Sequence, residues 1–583
     1  MSAGEGAGEP DASRVWEEGG SRGKHGFPRG SEPKASDPRG LDPAPVEATA
    51  GEEPGAEAIA AAGESAGERA GRIARSTALF SLATSLSRVA GLVREVFAAS
   101  YFGITPAMSA FTIAFQVPNL VRSLFADAAI QAAFVPVFTE QLERGNRREA
   151  FRLASTLIFG VTLILGALTA LFILVAPVLI PLFIGAKVPH DLTVALSRLL
   201  FPILVLLGTS GMVVGVLNSY NRFGAFAISP FFWNVAIIVV LVLLAPAFSG
   251  QDRIYAYAIG VLVGTGIQLA IPAWDLRHTP FRLMRVFDWR SPGVRRVLLL
   301  MLPVTISLGL INFDLLINSI FGSLVSAGGP AAIDKAFRIY MLPQGIFSVA
   351  VTTVLFPTLA RLAARRDYDD LRATMANGMR QIALLLIPAA AAILVLSVPM
   401  VRLVYQRGEF GPHDTDVVAM ALFWFSFSLP FNGFYLLMTR TFFSLQRPWV
   451  PTAIAASNLV VDAIASAALY GPFGVGGVVA GTAIATIFGV ALQVVVLRRQ
   501  LGRLELGRLL WTVGRVALAA AGLAAAGYGV WAVLDDALGR GFGAQLLSLT
   551  AGLGAGAVVY WLGVNALRIP EAAQIRRLVG REP

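Results

Sequence analysis

The 583-residue chain has no cysteine and only four histidines, His25, His190, His278 and His413, none of them within an apolar stretch. Disulfides, thiol chemistry, cysteine-ligated metals and histidine-based catalysis are therefore excluded as organising features. Lysine is nearly as scarce. Beyond residue 70 only Lys187 and Lys335 occur, and neither belongs to a GxxxxGK[ST] phosphate loop. Charged residues make up 14% of the chain against 55% hydrophobic ones, with a mean hydropathy of +0.67. That balance is too apolar for a soluble globule of this length and fits a polytopic membrane protein. No nucleic-acid partner is expected.

Residues 1–70 differ from the rest. They are rich in Gly, Pro, Glu and Ala, lack an apolar period and carry a net charge of −7, so the remainder carries +17. They read as a disordered acidic tail without the basic start and apolar core of a signal peptide. From about residue 73, apolar runs recur, each long enough at 1.5 Å per residue to cross a hydrocarbon layer of about 30 Å. Fourteen spans are expected, over 73–101, 108–139, 153–183, 191–217, 225–248, 254–275, 296–325, 331–360, 374–400, 415–444, 449–470, 475–497, 509–534 and 543–567. With the N-terminus inside, the loops and C-terminus on that side hold twenty-four arginines, while the outer loops hold Lys187, Arg253, Arg402, Arg407 and Arg540. A miscounted span would scramble this alternation, so both ends are expected to be cytoplasmic.

A weak internal repeat suggests how the spans are grouped. Pro202, the NRF of Asn221–Phe223 and Asn234 are matched by Pro430, the QRP of Gln446–Pro448 and Asn458; FVPVFTE at the end of span 2 is matched by LFPTLAR at the end of span 8. The expected fold class is an all-α integral membrane protein of about fourteen transmembrane helices: two six-helix lobes in parallel pseudo-repeat plus a C-terminal helix pair. The corresponding segments are a tail at 1–70, an N-lobe at 71–290, a C-lobe at 291–500 and, at 501–583, spans 13 and 14 with a basic C-terminus.

Arginines sit deep inside several spans: Arg88 and Arg94 in SLSRVAGLVREVF, Arg122 in FQVPNLVRSLFAD and Arg338 in KAFRIYMLPQG. Near mid-bilayer each costs about 2.5–3.5 kcal/mol on insertion scales, so such residues face a cavity or a partner. Thr84, Arg88, Gly91 and Glu95 share one face of span 1, and Asn119, Arg122, Ser123 and Asp127 one arc of span 2. Two readings are open. Arg88 pairs with Glu95 and Arg122 with Asp127 as structural ion pairs, or the arginines line a chamber for an anion, whose phosphate oxygens a guanidinium grips bidentately. Arg94 and Arg338 have no obvious local carboxylate, which favours the chamber. Pro118 and Pro343 lie within spans 2 and 8, with Gly91 and Gly345 near the arginines, and are candidate hinges. Asp314 and Asn318 in span 7 and Asn458 and Asp462 in span 11 are each one turn apart, and Thr482 in span 12 could complete an oxygen cage for Na⁺ or a proton relay. A polar clasp without ion traffic is the alternative. The DYDD string at Asp367–Asp370 reads as a helix N-cap with an acidic first turn rather than a metal–nucleotide motif.

The segments SRVAGLVREVFAASYFG, FQVPNLVRSLFADAAIQAAFVPVF, LNSYNRFGAFAISP and FRIYMLPQGIFSVAVTTVLFP resemble the MurJ/MviN family of lipid II flippases, within the multidrug/oligosaccharidyl-lipid/polysaccharide exporter superfamily. The resemblance covers roughly residues 72–570. It implies a non-enzymatic fourteen-helix transporter of the bacterial cytoplasmic membrane, working by alternating access. The last helix pair would hold the polyprenyl tail of lipid II. Membrane lipids and the wall-synthesis machinery are implied partners, and no cofactor is expected beyond a coupling Na⁺ or H⁺. By matching motif, the cavity arginines fall on Arg88, Arg94, Arg122 and Arg338, with Glu95 and Asp127 as acidic partners and Asn119 beside them. The sodium site of some members falls on Asp314, Asn458 and Asp462. Ser109 and Ser123 stand where charged residues are expected.

Overall fold

The computed structural model describes residues 66–125 and 128–571; within it, the side chains of 66–82, 121–132 and 302–312 are not described. Among the described residues there is no strand. The chain forms helices α1 (Ala66–Phe102), α2 (Pro106–Phe125), α3 (Ala128–Glu143), α4 (Arg147–Phe183), α5 (His190–Leu200), α6 (Ile203–Ser219), α7 (Gly224–Leu244) and α8 (Ile254–Asp275) in its first half. The second half contributes α9 (Pro292–Val325), α10 (Gly329–Pro343), α11 (Val349–Arg365), α12 (Tyr368–Tyr405), α13 (Pro412–Ser444), α14 (Trp449–Leu501), α15 (Leu506–Leu538) and α16 (Phe542–Ala566).

Ten helical stretches among the described residues are long and apolar enough to cross a membrane. One of them, α14, turns at Gly474, whose φ of 59° is open to glycine at little cost, and so supplies spans 11 and 12. With α1, the α2–α3 pair and α9, which coincide with spans 1, 2 and 7, the expected fourteen are accounted for. Two breaks within spans fall at prolines. Pro202 divides span 4 into α5 and α6, and Pro343 ends α10 before a π-helical turn at Gln344–Ser348. Asp367 caps α12 as expected, its carboxylate accepting from the Asp370 amide at 3.2 Å.

The repeat is visible in the backbone. Asn221 and Gln446 both adopt left-handed conformations, with φ of 57° and 56°. Around them the same bonds recur: the Arg222 amide donates to the Leu217 carbonyl and the Arg447 amide to that of Phe442, each at 3.0 Å. The same cap closes α3 and α11, where the Asn146 amide donates to Gln141 and the Asp367 amide to Leu362. Short sequence matches thus correspond to identical helix terminations.

In the first half α7 packs on α8, α4 on α6, and α2 on α5; in the second α12 packs on α13, α13 on α14, and α9 on α14. Helix α9 also lies against α2 and α3, making it the main seam between halves, while α15 and α16 pack on each other and dock on α12. The halves also meet through their connecting loops. The Glu409 amide donates to the Ser100 carbonyl at 2.9 Å, the Ile104 amide to Asp414 Oδ2 at 3.3 Å, the Gly185 amide to Ser323 Oγ at 2.9 Å, and Lys187 Nζ to the Val325 carbonyl at 2.7 Å.

Candidate functional site

Arg94 and Glu95, in the last third of α1, are buried, with 7% and 4% of their surfaces exposed. Arg94 Nη2 donates to Glu95 Oε1 at 2.5 Å, and the Arg94 guanidinium lies 4.6 Å from the centre of the Trp233 ring. From the other half of the chain, Arg338 Nε approaches Glu95 Oε2 at 3.1 Å and Asp334 Oδ2 at 2.9 Å. Glu95 is therefore a bridge between two arginines 244 positions apart in sequence. This corrects two expectations. Arg94 and Arg338 do have carboxylate partners, one shared and one, Asp334, a single helical turn before Arg338. Glu95 also serves Arg94 and Arg338 rather than Arg88, because seven residues of helix rise about 10.5 Å, too far for a direct pair.

Arg88 is exposed, and among the described residues it has no ion-pair or hydrogen-bond partner. It lines a cavity of about 370 Å³ with Ser87, Gly91, Arg94, Asn119, Trp233, Asn234, Thr265 and Gln268. Polar side chains fix its wall: Trp233 Nε1 donates to Thr265 Oγ1 at 3.1 Å, and Asn234 Nδ2 donates to the Pro230 and Ser87 carbonyls at 2.8 and 3.4 Å. Gly91 is where α1 passes Asn234, a Cβ there standing 3.7 Å from its amide oxygen. Arg122 and Ser123 belong to α2, but their side chains lie outside the described residues, as does Asp127 altogether. Pro118 is within α2, and Ser109 is fully buried with its Oγ accepting from the Ala331 amide at 3.4 Å. The site residues missed in the sequence were Asp334, Lys335, Trp233, Thr265 and Gln268. Asp334 carried a signal, its i, i+4 spacing to Arg338; the indole and amides carried none, since they are ordinary within apolar helices.

The second polar cluster lies within the C-terminal half. Asp462 of α14 is completely buried, and its carboxyl is within hydrogen-bonding range of that of Asp314 on α9. One turn along α9, Asn318 Oδ1 accepts from Thr482 Oγ1 at 3.0 Å, and Ser466 Oγ lies 3.4 Å from Asp462 Oδ1. Asp462 Oδ2 and Asn458 Oδ1 are buried acceptors with no hydrogen-bond donor. Asn458 fits against Gly489, where a Cβ would come within 2.5 Å of its oxygen. All five expected residues thus lie on the α9 and α14 segments that pack together, and Ser466 joins them. Among the described residues no three acidic or histidine side chains gather as a metal site. Two facing carboxyls, an amide and hydroxyls are hard oxygen donors, suited to Na⁺ or a shared proton.

A family model described as lipid II flippase MurJ matches residues 98–546. The chain belongs to the MurJ family. A curated MurJ-family relative from Rhizobium meliloti (strain 1021), described as a probable lipid II flippase, is 31% identical over 513 residues, covering 86% of this chain and 95% of its own. Another, from Burkholderia cenocepacia and described as lipid II flippase MurJ, is 29% identical over 398 residues, covering 66% and 75%. Among solved structures, lipid II flippase MurJ in an inward closed conformation matches with a TM-score of 0.69 at 23% identity, covering 86% of this chain and all of that one. An inward-facing multidrug resistance MATE transporter of the MOP superfamily matches with a TM-score of 0.62 at 13% identity, over 72% and 95%. These likenesses establish the MurJ-family fold as that of a multi-pass membrane transporter.

Proposed function

We propose that this protein is a lipid II flippase, carrying the lipid-linked peptidoglycan precursor from the cytoplasmic to the outer leaflet of the bacterial inner membrane by alternating access. The observation that carries the reading is the Arg94–Glu95–Arg338 bridge beside the Arg88 cavity, in a chain of this family. Arg94 and Arg338, from the two halves of the chain, meet at Glu95, and Arg88 shares its cavity with Arg94; a pyrophosphate needs such planar, permanently charged donors. Arg94 Nε is buried without a hydrogen-bond acceptor, leaving donor capacity for a ligand. By motif, Arg122 and Asp127 would be the further cation and acid of the set. Asn119 and the tryptophan–threonine pair shape the cavity wall. Gly91, Pro118 and Pro343 are the points at which the helices would flex, the last leading into the π-helical turn.

The bridge itself supplies a switch. An anion that takes Arg94 and Arg338 weakens their hold on Glu95, and with it a link between α1 and α10. With both termini in the cytoplasm, the contacts of Ser100, Ile104 and Gly185 with the second half would close the outer side. An anion leaving an inside-negative cell gains about 2.3 kcal/mol per charge per 100 mV, which favours export of the head group while the polyprenyl tail stays in the membrane along α15 and α16.

Asp314, Asn318, Asn458, Asp462 and Thr482 are proposed to hold the coupling ion, Na⁺ or H⁺. The orphaned Asp462 Oδ2 and Asn458 Oδ1 support this, since buried acceptors without donors are where a cation or proton belongs. The test of function is complementation: the gene should restore growth to cells depleted of their own flippase. Growth restored equally by variants lacking Arg94 and Arg338 would instead indicate a non-transporting scaffold for wall synthesis.

A further inference from the structure

Lys335 is completely buried in α10, and its Nζ has no hydrogen-bond acceptor among the described residues. It lies 5.3 Å from the centre of the Tyr405 ring, whose hydroxyl donates to the Lys335 carbonyl at 3.3 Å. It is adjacent in sequence to Asp334 and three residues from Arg338. Glu95, Asp334, Arg338 and Asp414 all stand within its electrostatic reach. A buried ammonium resting on a ring face, with three carboxylates nearby but bonded to none, is an unusual place for a structural cation. Glu95 and Asp334 are occupied by Arg94 and Arg338, and Asp414 Oδ2 accepts from the Ile104 amide.

We propose that Lys335 is a reserve counter-ion, which takes over Glu95 and Asp334 when an anionic substrate draws Arg94 and Arg338 away. The inference rests on the anion-binding role proposed for those arginines. A pyrophosphate group that engages both guanidinium groups strands two carboxylates in a buried setting, and a buried carboxylate without a partner is strongly unfavourable. An arginine whose planar fork turns to grip a pyrophosphate loosens its hold on a carboxylate, whereas a lysine on a flexible four-carbon stem can swing between acceptors. Glu95 belongs to the first half of the chain and Lys335 to the second. The exchange therefore keeps α1 and α10 attached while the substrate is held, and lets the loaded site form without repulsion between phosphate and carboxylate.

The test uses the full-length protein, measuring lipid II binding in detergent and lipid II transport in proteoliposomes. Lys335→Met should weaken lipid II binding and slow its transport, each at least about tenfold, since stranding the carboxylates is a penalty on the loaded state. Lys335→Arg should retain transport. Adding Glu95→Gln to Lys335→Met should raise transport to within about threefold of the wild type, because a neutral partner needs no replacement cation. The proposal is overturned if Lys335→Met binds and transports lipid II like the wild type, or if the double variant neither binds nor transports better than Lys335→Met. Should Lys335→Met fail to accumulate, the double variant, which removes one charge of each sign, and Lys335→Arg carry the same test. A wild type that neither binds nor moves lipid II overturns the flippase reading, and this inference with it.

Discussion

The two buried polar clusters differ in what they lack. Around Arg94, Glu95 and Arg338 the unmet atoms include two cationic donors, Arg94 Nε and Lys335 Nζ, beside two acceptors, Asn234 Oδ1 and Glu95 Oε2, the latter held by Arg338 at 3.1 Å. Around Asp314 and Asp462 the unmet atoms are acceptors, Asp462 Oδ2 and Asn458 Oδ1. Buried polar groups are normally satisfied, so the sign of the shortfall indicates the sign of the missing ligand: an anion at the first site, a cation or proton at the second. The clusters differ equally in reach. The arginine bridge joins the two halves of the chain, whereas the carboxyl pair lies wholly within the second half. Binding at the first acts directly on a link between the halves; binding at the second acts first on how α9 packs on α14, and reaches the first half only through α9.

The sharpest way to break this contrast is to remove a bridging arginine. Arg94→Ala or Arg338→Ala deletes a donor to the anion and unbalances Glu95, and breaking a buried pair costs about 3–5 kcal/mol. Transport of lipid II should fall at least about 100-fold, and complementation should be lost with the protein still in the membrane. Normal growth supported by both variants at normal abundance would remove the anion site. Asp462→Asn should act differently. It keeps shape and hydrogen bonding but removes a charge, so stimulation of transport by an imposed Na⁺ or proton gradient should drop about tenfold, within the usual range of coupling energies, while lipid II binding stays within about twofold. Identical gradient dependence in wild type and variant would make the second cluster a structural clasp.

Much of this was legible in the sequence, for reasons particular to membranes. Fourteen spans could be counted because arginines alternate between loops, and the alternation survives even where Arg88, Arg94 and Arg338 dilute the hydropathy of α1 and α10. The carboxyl cluster was legible because Asp314/Asn318 and Asn458/Asp462 each sit one turn apart on a helix that otherwise has little reason to be polar. The pairing of Glu95 was not. Its second partner lies in the other half of the chain, and no local spacing encodes a contact formed only when the halves close. Asp334 could have been found from its spacing to Arg338. Lys335 stood out only as one of two lysines beyond the tail, because burial on a ring face leaves no trace in sequence.

A smaller effect is expected where the two halves meet at the outer end. Gly408 has a φ of 62°, and a Cβ on it would come within 2.2 Å of the Ser100 carbonyl oxygen. Gly408→Ala adds both left-handed strain of about 1–2 kcal/mol and a clash, and so should disfavour the closed outer side. The absence of native cysteine makes the measurement simple: in an Ile104→Cys background, labelling from outside should be about fivefold faster with Gly408→Ala than without it, consistent with a shift of about 1 kcal/mol. Equal labelling would mean that the α1–α2 and α12–α13 loops do not separate during the cycle.

The least effect on transport, and the clearest control for the contrast between clusters, is expected at a third ion pair. Arg402 Nη1 lies 3.2 Å from both carboxylate oxygens of Asp535, joining the end of α12 to the end of α15, and both side chains are largely buried. No atom of either residue is a buried group without a partner. By the reasoning that assigns ligands to unmet atoms, this pair holds none and only fixes the C-terminal helices to α12. Arg402→Gln should therefore lower the melting temperature of the purified protein, stranding Asp535 at a cost of about 1–3 kcal/mol near the membrane surface. Transport per folded molecule should change by less than about twofold. The double variant Arg402→Gln/Asp535→Asn should recover part of the lost stability, because no charge is then left alone. A tenfold loss of transport with unchanged melting would show that a fully paired salt bridge takes part in the cycle, and that unmet hydrogen-bonding capacity does not separate working charges from structural ones in this fold.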